Sequence, residues 1–312
     1  MRVFITGGTG FIGNYLARGL AQEGFRVSVL TRNNSKRRVL PEGIDIVPGD
    51  PVTTGAWQEK IGESDSVINL AGASIFKRWN EKSKAIIRES RIETTRNIVK
   101  ALVRIGKKNI DLISASAVGY YGYREDEVLV ESSSAGSDFM AAVSRDWEAE
   151  ALKARENGTR VVLCRFGIVL GTGGGALSKM LPFFRMGIGT RLGDGKQWFS
   201  WIHRKDLFRI LLHLVKSKDI QGAVNCTAPR PVRNKVFTKT LGKVLRRPVF
   251  LPPLPGFLLR GVLGEFSDSV LKGQKVIPKV LMDKGFAFVF PDIEEALSNI
   301  VSSSYDTDPP PA

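Results

Sequence analysis

Apolar residues recur along the first two-thirds of the chain in two alternating rhythms. The runs Val3–Thr6, Val27–Thr31, Ile44–Val47, Val67–Leu70, Ile110–Ile113 and Val161–Cys164 are short, rich in β-branched residues, and read as strands. Between them lie stretches with apolar residues three or four apart. Ile12, Leu16 and Leu20 mark one face of a helix over Ile12–Glu23, which Gly24 ends. Asn80–Ile105 and Ala141–Glu156 keep the same period. Strands alternating with helices predict an α/β fold, a doubly wound Rossmann-type parallel sheet with a smaller C-terminal lobe. After about Gly222 the pattern changes, and Pro229, Pro231, Pro248, Pro252, Pro253 and Pro255 interrupt the chain. The expected division is a dinucleotide-binding domain over 1–228, a lobe over 229–301 that closes on a cleft, and a disordered tail over 302–312.

The first strand runs directly into Thr6-Gly7-Gly8-Thr9-Gly10-Phe11-Ile12-Gly13, which opens the first helix. Glycines in this context allow a tight turn, a close backbone approach to a pyrophosphate, and tight helix–strand packing. The helix N-terminus then offers free N–H groups and a positive dipole end. Gly7, Thr9, Gly10, Phe11, Ile12 and Gly13 are therefore expected to hold a dinucleotide. The second strand ends at Thr31-Arg32. An NAD site usually has an acid there, to accept from the ribose 2′-hydroxyl. No acid follows until Glu42, while Lys36, Arg37 and Arg38 lie close by. A guanidinium forks onto a 2′-phosphate, so NADP(H) is the expected cofactor, with Thr31 and Arg32 at its ribose.

Composition adds the expected sign of the partners. Lys and Arg total 46 against 31 Asp and Glu in 312 residues, a net charge of +15. That favours anionic partners such as a phosphorylated cofactor or a small anionic substrate. No nucleic-acid motif accompanies the charge, and nucleic acid is not expected. No segment has the roughly 18 apolar residues of a membrane span, so no membrane partner is expected. The apolar N-terminal run is too short for a signal peptide, which points to the cytoplasm and to a monomer or homodimer there. Cys164 and Cys226 have no metal-like spacing, His203 and His213 stand apart, and no metal site is expected. His203 reads as a structural residue with Asp206 as the cap of the next helix. Trp198, Phe199 and Trp201 either stack on a ligand ring or fill a core.

Several motifs resemble those of the extended short-chain dehydrogenase/reductases, the NAD-dependent epimerase/dehydratase superfamily. The glycine loop is one. Asn69-Leu70-Ala71-Gly72 is similar to the family's loop against the cofactor, Ser114-Ala115-Ser116-Ala117-Val118-Gly119-Tyr120-Tyr121-Gly122 to the segment with its catalytic serine, and Arg165-Phe166-Gly167-Ile168-Val169-Leu170-Gly171 to the strand passing the nicotinamide. Arg78-Trp79-Asn80, Ser90-Arg91-Ile92, Gly173-Gly174-Gly175-Ala176-Leu177, Gln197-Trp198-Phe199-Ser200-Trp201-Ile202-His203 and Gly273-Gln274-Lys275-Val276-Ile277-Pro278 narrow the resemblance to the YfcH-like epimerase-family subgroup, which has a C-terminal domain of unknown function.

The resemblance implies that Leu70, Ala71, Gly72 and Arg91 flank the cofactor. It also exposes a departure. The family's acid/base pair is Tyr-x-x-x-Lys, and by position Phe139 and Val143 stand in its place, with Phe139 expected to face the nicotinamide pocket. Ser116, Tyr120 and Tyr121 remain as candidate catalytic groups just past the end of a strand, Tyr120 and Tyr121 being equal alternatives for the proton. The functional expectation is an NADP(H)-binding, epimerase-like oxidoreductase acting on a small anionic or nucleotide-sugar-like molecule. The alternative is a non-catalytic NADP(H)-sensing protein.

Overall fold

The computed structural model describes residues 1–32, 40–106 and 109–303. A seven-stranded sheet forms its centre. The strands are β1 (Arg2–Thr6), β2 (Arg26–Thr31), β3 (Asp45–Pro48), β4 (Ser66–Asn69), β5 (Asp111–Ala117), β6 (Val161–Phe166) and β7 (Gly222–Cys226). Their spatial order is β3-β2-β1-β4-β5-β6-β7, with every neighbouring pair parallel. This is the doubly wound order, which reverses direction between β1 and β4 and leaves a crevice at their carboxyl ends.

Two strand assignments differ from the pattern reading. β7, Gly222-Ala223-Val224-Asn225-Cys226, has one β-branched residue and gives little local strand signal; pairing with β6 holds it in the sheet. β5 runs four residues beyond Ile113 through Ser114-Ala115-Ser116-Ala117, so Ser116 lies within the strand, opposite Arg165 of β6.

Helices cover both faces. They are α1 (Phe11–Gln22), α2 (Glu81–Ile105), α3 (Phe139–Leu152), α4 (Gly175–Arg185), α5 (Arg204–Lys216), α6 (Asn234–Val244), α7 (Gly256–Leu263), α8 (Phe266–Leu271), α9 (Lys279–Asp283) and α10 (Ile293–Ser303). The helix at Asn80 begins where expected: Asn80 Oδ1 accepts from the Ser83 amide at 2.8 Å, and Ser83 Oγ accepts from the Asn80 amide at 2.8 Å. The cap of α5 differs from expectation. His203 is the cap, its Nδ1 accepting from the Lys205 amide at 3.1 Å. Asp206 instead accepts from the amides of Val289 and Phe290, tying α5 to the C-terminal lobe.

Alternate residues of the strands feed two cores. Val3, Ile5, Val29, Ile68 and Ile113 pack with Leu16 and Leu20 of α1 and Leu207 and Leu211 of α5. Phe4, Val67, Leu112 and Leu163 pack on the other face with Ile98 and Leu102 of α2. A third core builds the lobe, joining Leu177 and Phe184 of α4, Phe199 and Trp201 to Phe237 of α6 and Leu297 of α10. The lobe thus draws segments from well before residue 228. Phe199 stacks on Phe237 at 4.3 Å, so it and Trp201 fill a core. Cys164 and Cys226 are buried free thiols. α10 extends through Ser303; residues 304–312 lie outside the described residues. No helix is long and apolar enough to cross a membrane, and the described residues hold no metal-ligating cluster.

Candidate functional site

The glycine loop sits at the crevice between β1 and β4. Gly7 has φ of +71°, and a Cβ there would meet the Leu70 carbonyl carbon at 2.8 Å. A Cβ on Gly13 would stand 2.3 Å from the Gly7 carbonyl oxygen. Side chains at either position would push the loop off the Leu70-Ala71-Gly72 segment or the helix off the loop. Gly10 caps α1 with no side-chain bond, and no acid lies in its first turn. The positive end of α1 is therefore left for an anion. Phe11 turns away and packs on the triple-glycine turn, its ring 2.6 Å from where a Gly174 Cβ would stand. Those glycines admit this ring and lock α1 to the start of α4. Thr9 and Ile12 are half-buried beside it.

Two arginines border the crevice. At the end of β2, Thr31 is buried and Arg32 is exposed. Lys36, Arg37 and Arg38 lie outside the described residues. Arg91 reaches from α2 to the β4 loop, its guanidinium carbon 3.1 Å from where a Gly72 Cβ would be. Its Nη1 donates to the carbonyls of Ala73 at 3.1 Å and Ile87 at 2.9 Å. No carboxylate among the described residues pairs with it. Burial lowers its pKa to about 10. A half-buried guanidinium whose partners are carbonyls and the Trp147 ring, 5.4 Å away, has charge to spare for an anion.

The three expected catalytic residues meet around Arg165. Ser116 Oγ donates to Glu148 Oε1 at 2.6 Å, in the interior. Arg165 forks onto the same carboxylate, Nε to Oε1 and Nη2 to Oε2, both at 2.8 Å. Arg165 Nη1 donates to the Tyr121 hydroxyl at 2.9 Å, which in turn donates to Asn225 Oδ1 at 2.6 Å. Tyr121 is 0% exposed, and burial, opposed in part by Arg165, pushes its pKa up to about 12. Ser116 and Tyr121 thus both have their hydroxyls engaged in a buried network, Ser116 from within β5 and Tyr121 from just past its end. Tyr120 differs. It is half-buried, and the Arg165 guanidinium lies 3.5 Å from its ring centroid.

The register of α3 also departs from expectation. Phe139 packs edge-on against Trp79 at 5.2 Å, in a cluster with Phe266 and Leu263. Ile87 of α2 and Met140 belong to the same cluster. Met140 is the residue against the β5 segment, its Cβ 3.2 Å from where a Gly119 Cβ would stand. One turn on is Ser144, and one more is Glu148, which reaches Ser116 and Arg165. A helix presents i, i+4 and i+8 on one stripe. Met140 and Ser144, not Phe139 and Val143, therefore occupy the stripe facing β5. Neither Met nor Ser is the Tyr or Lys of the family pair. The Ser144 hydroxyl is buried without a partner among the described residues.

Further side chains meet on the β5–α3 connection and around Trp198. A cavity of about 310 Å³ is lined by Tyr121, Tyr123, Arg124, Gly136, Ser137 and Asp138, brought together from the β5–α3 connection. Trp198 is half-exposed; its Nε1 donates to Asp126 Oδ1 at 2.7 Å, with Arg233 at 4.1 Å and Lys275 at 4.8 Å from its ring. No local signal links these segments, because tertiary packing alone joins them.

Comparison with known proteins agrees with this architecture. The model of the NAD dependent epimerase/dehydratase family matches residues 3–226, and a domain of unknown function, DUF1731, matches residues 254–300. The chain is 41% identical over 304 residues to the chloroplastic epimerase family protein SDR39U1 homolog of Arabidopsis thaliana, covering 96% of this chain and 87% of that protein. It is 38% identical over 304 residues to the epimerase family protein YfhF of Bacillus subtilis, covering 97% and 98%. Human epimerase family protein SDR39U1, solved with NADPH, superposes with a TM-score of 0.85 at 33% identity, over 97% of this chain and 99% of that one. UDP-glucose 4-epimerase of Thermus thermophilus, solved with NAD, shares the fold with a TM-score of 0.80 at 20% identity, over 99% and 100%. The chain belongs to the NAD-dependent epimerase/dehydratase family.

Proposed function

We propose that this member of the epimerase/dehydratase family binds NADP(H) and uses it as an oxidoreductase on a small anionic or nucleotide-sugar-like substrate. The observation that carries this reading is the placement of two cations. Arg32 stands at the end of β2, where an acid would favour NAD(H), and Arg91 lies half-buried beside Gly72 with carbonyls and the Trp147 ring, but no carboxylate among the described residues, for partners. The human relative solved with NADPH supports the same cofactor.

Gly7, Gly10 and Gly13 leave room for the pyrophosphate, while Thr9, Phe11 and Ile12 shape the end of α1 around it. Thr31 and Arg32 take the ribose phosphate. Leu70, Ala71, Gly72 and Arg91 form the opposite wall. When bound, the nicotinamide would supply or accept hydride. The proton falls to Tyr120, because Ser116 and Tyr121 spend their hydroxyls in the buried network.

The test is titration of the purified protein with NADPH and NADH, followed by NADPH oxidation across a panel of carbonyl and nucleotide-sugar substrates. Equal affinity for the two cofactors would sink the cofactor assignment. Unchanged turnover in Tyr120→Phe would remove Tyr120 as the acid.

A second reading, a non-catalytic NADP(H) sensor, is favoured by one observation: Met140 and Ser144 fill the stripe of α3 that faces β5. Tight NADPH binding with no turnover on the whole panel would establish it over the first.

A further inference from the structure

We infer that the C-terminal lobe docks this protein onto an anionic lipid surface through α7 and the turn after α4. The lobe presents large apolar side chains to solvent on two segments: Phe250 is 73% exposed, Phe257 71%, Val262 71% and Met186 64%. α7 buries only Leu259. Backbone and side-chain bonds stitch the two segments together. Thr190 Oγ1 donates to the Pro252 carbonyl at 2.7 Å, the Leu254 amide to the Arg191 carbonyl at 2.9 Å, and the Gly193 amide to the Leu254 carbonyl at 3.0 Å. The exposed rings therefore come from neighbouring chain segments of one lobe.

The charge around them is mostly basic, with Asp268 of α8 paired to Arg260 at one edge. No Asp or Glu occurs between residues 157 and 193, or between 220 and 264. Arg185, Arg191, Arg246, Arg247 and Arg260 are all exposed there. Apolar side chains that protrude among basic ones suit an interface with anionic headgroups: the rings enter the acyl boundary and the cations stay at the phosphates. A second copy fits poorly, because an isologous contact would set these arginines against their own images. A membrane span is a separate matter: no helix among the described residues is long and apolar enough for one.

The far end of α7 gives the docking a consequence. Gly264 bridges to Trp79, whose amide donates to the Leu263 carbonyl at 3.4 Å. Trp79 lies on the loop that leads from β4 and Gly72 to α2. Docking through α7 therefore holds the mouth of the crevice near the lipid surface.

Sedimentation of the full chain with vesicles tests this, using vesicles made wholly of phosphatidylglycerol or wholly of phosphatidylcholine. The wild type is expected to bind the former and not the latter, less strongly as salt rises. Phe257→Ser/Val262→Ser and Arg246→Glu/Arg247→Glu should each lower the partition coefficient by about tenfold or more. Lys60→Glu, on the Rossmann domain, should leave it unchanged. Unfolding transitions matching the wild type would show that all variants are folded. The proposal is overturned by equal binding to both vesicles, by no binding, or by an apolar variant that binds as well as wild type. It is equally overturned by a loss in Lys60→Glu as large as in the arginine pair. Sedimentation equilibrium showing a dimer that both patch variants dissociate would assign the surface to a second copy instead. Tighter binding to polyglutamate than to vesicles, lost in the same variants, would assign it to an acidic protein.

Discussion

Arg165 and Glu148 make a bidentate ion pair inside the protein, with both nitrogen–oxygen distances at 2.8 Å. The pair joins the ends of β5 and β6 to α3, and its neighbours hold Arg165 protonated well above the usual arginine range. Removing one partner would strand a buried charge. Glu148→Ala is expected to cost about 3–5 kcal/mol, read as a shift in the urea midpoint at unchanged slope. A loss below about 1 kcal/mol would mean that water reaches Arg165 freely.

The two adjacent tyrosines should separate stability from activity. Tyr121→Phe leaves Arg165 and Asn225 short of a buried partner and should cost about 1–3 kcal/mol. Tyr120→Phe should leave the unfolding midpoint nearly unchanged and lower turnover, by about a hundredfold if the hydroxyl is the acid. The opposite pattern, with stability lost in Tyr120→Phe, would reverse their roles.

The α3 register gives a gain-of-function experiment. Met140→Tyr with Ser144→Lys puts the family pair on the stripe facing β5, and should gain reductase activity on generic carbonyls. Phe139→Tyr with Val143→Lys points one residue aside, toward Trp79 and the helix interior, and should gain none. Activity in the second double variant alone would show that the crevice reads α3 one residue earlier.

Cofactor choice rests on Arg32. Arg32→Asp deletes a charge-assisted contact worth about 1.5–3 kcal/mol to a 2′-phosphate and adds repulsion, so NADPH should weaken at least tenfold while NADH tightens. Fluorescence titration of both cofactors measures the ratio. A parallel change in the two would remove Arg32 as the selector.

His203 sets an acid limit on stability. Burial, reinforced by the cations of Arg204 and Lys205, lowers its pKa from 6.5 to about 3. The folded-state pKa is depressed, so the stabilisation is complete above pH 6.5 and is lost as pH falls from there toward 3. Over that interval the unfolded chain takes up a proton that the folded chain refuses, a loss on the order of 5 kcal/mol by the pKa difference. His203→Asn keeps an acceptor for the Lys205 amide and should flatten the fall in Tm between neutral and acid pH. An equally steep fall in the variant would assign the acid sensitivity elsewhere.

Pattern and local chemistry determined the sheet class, the position of α1 and α2 to within one residue, the start of α3 to within two, and the glycine loop. These features depend on periodicity, caps and backbone freedom, which a short window of sequence contains. The missing family pair was legible as well, since the chain has no Tyr-x-x-x-Lys. Side-chain direction was not. One residue along a helix turns a side chain by about 100°, so placing the vacant acid at Phe139 or at Met140 depended on how α3 packs over β5. Ser116 and Tyr121 likewise carry reactive groups in any sequence reading. Only the approach of Glu148, Arg165 and Asn225, from 32, 44 and 104 residues away, turned those hydroxyls inward. Low-dielectric burial makes such long-range partners decisive, because an unpaired polar group there costs more than the pairing constrains. The lobe shows the same division of labour. Its prolines and basic residues stand plainly in the sequence, but its core was completed by α4, Phe199 and Trp201, which chain order had assigned to the other domain.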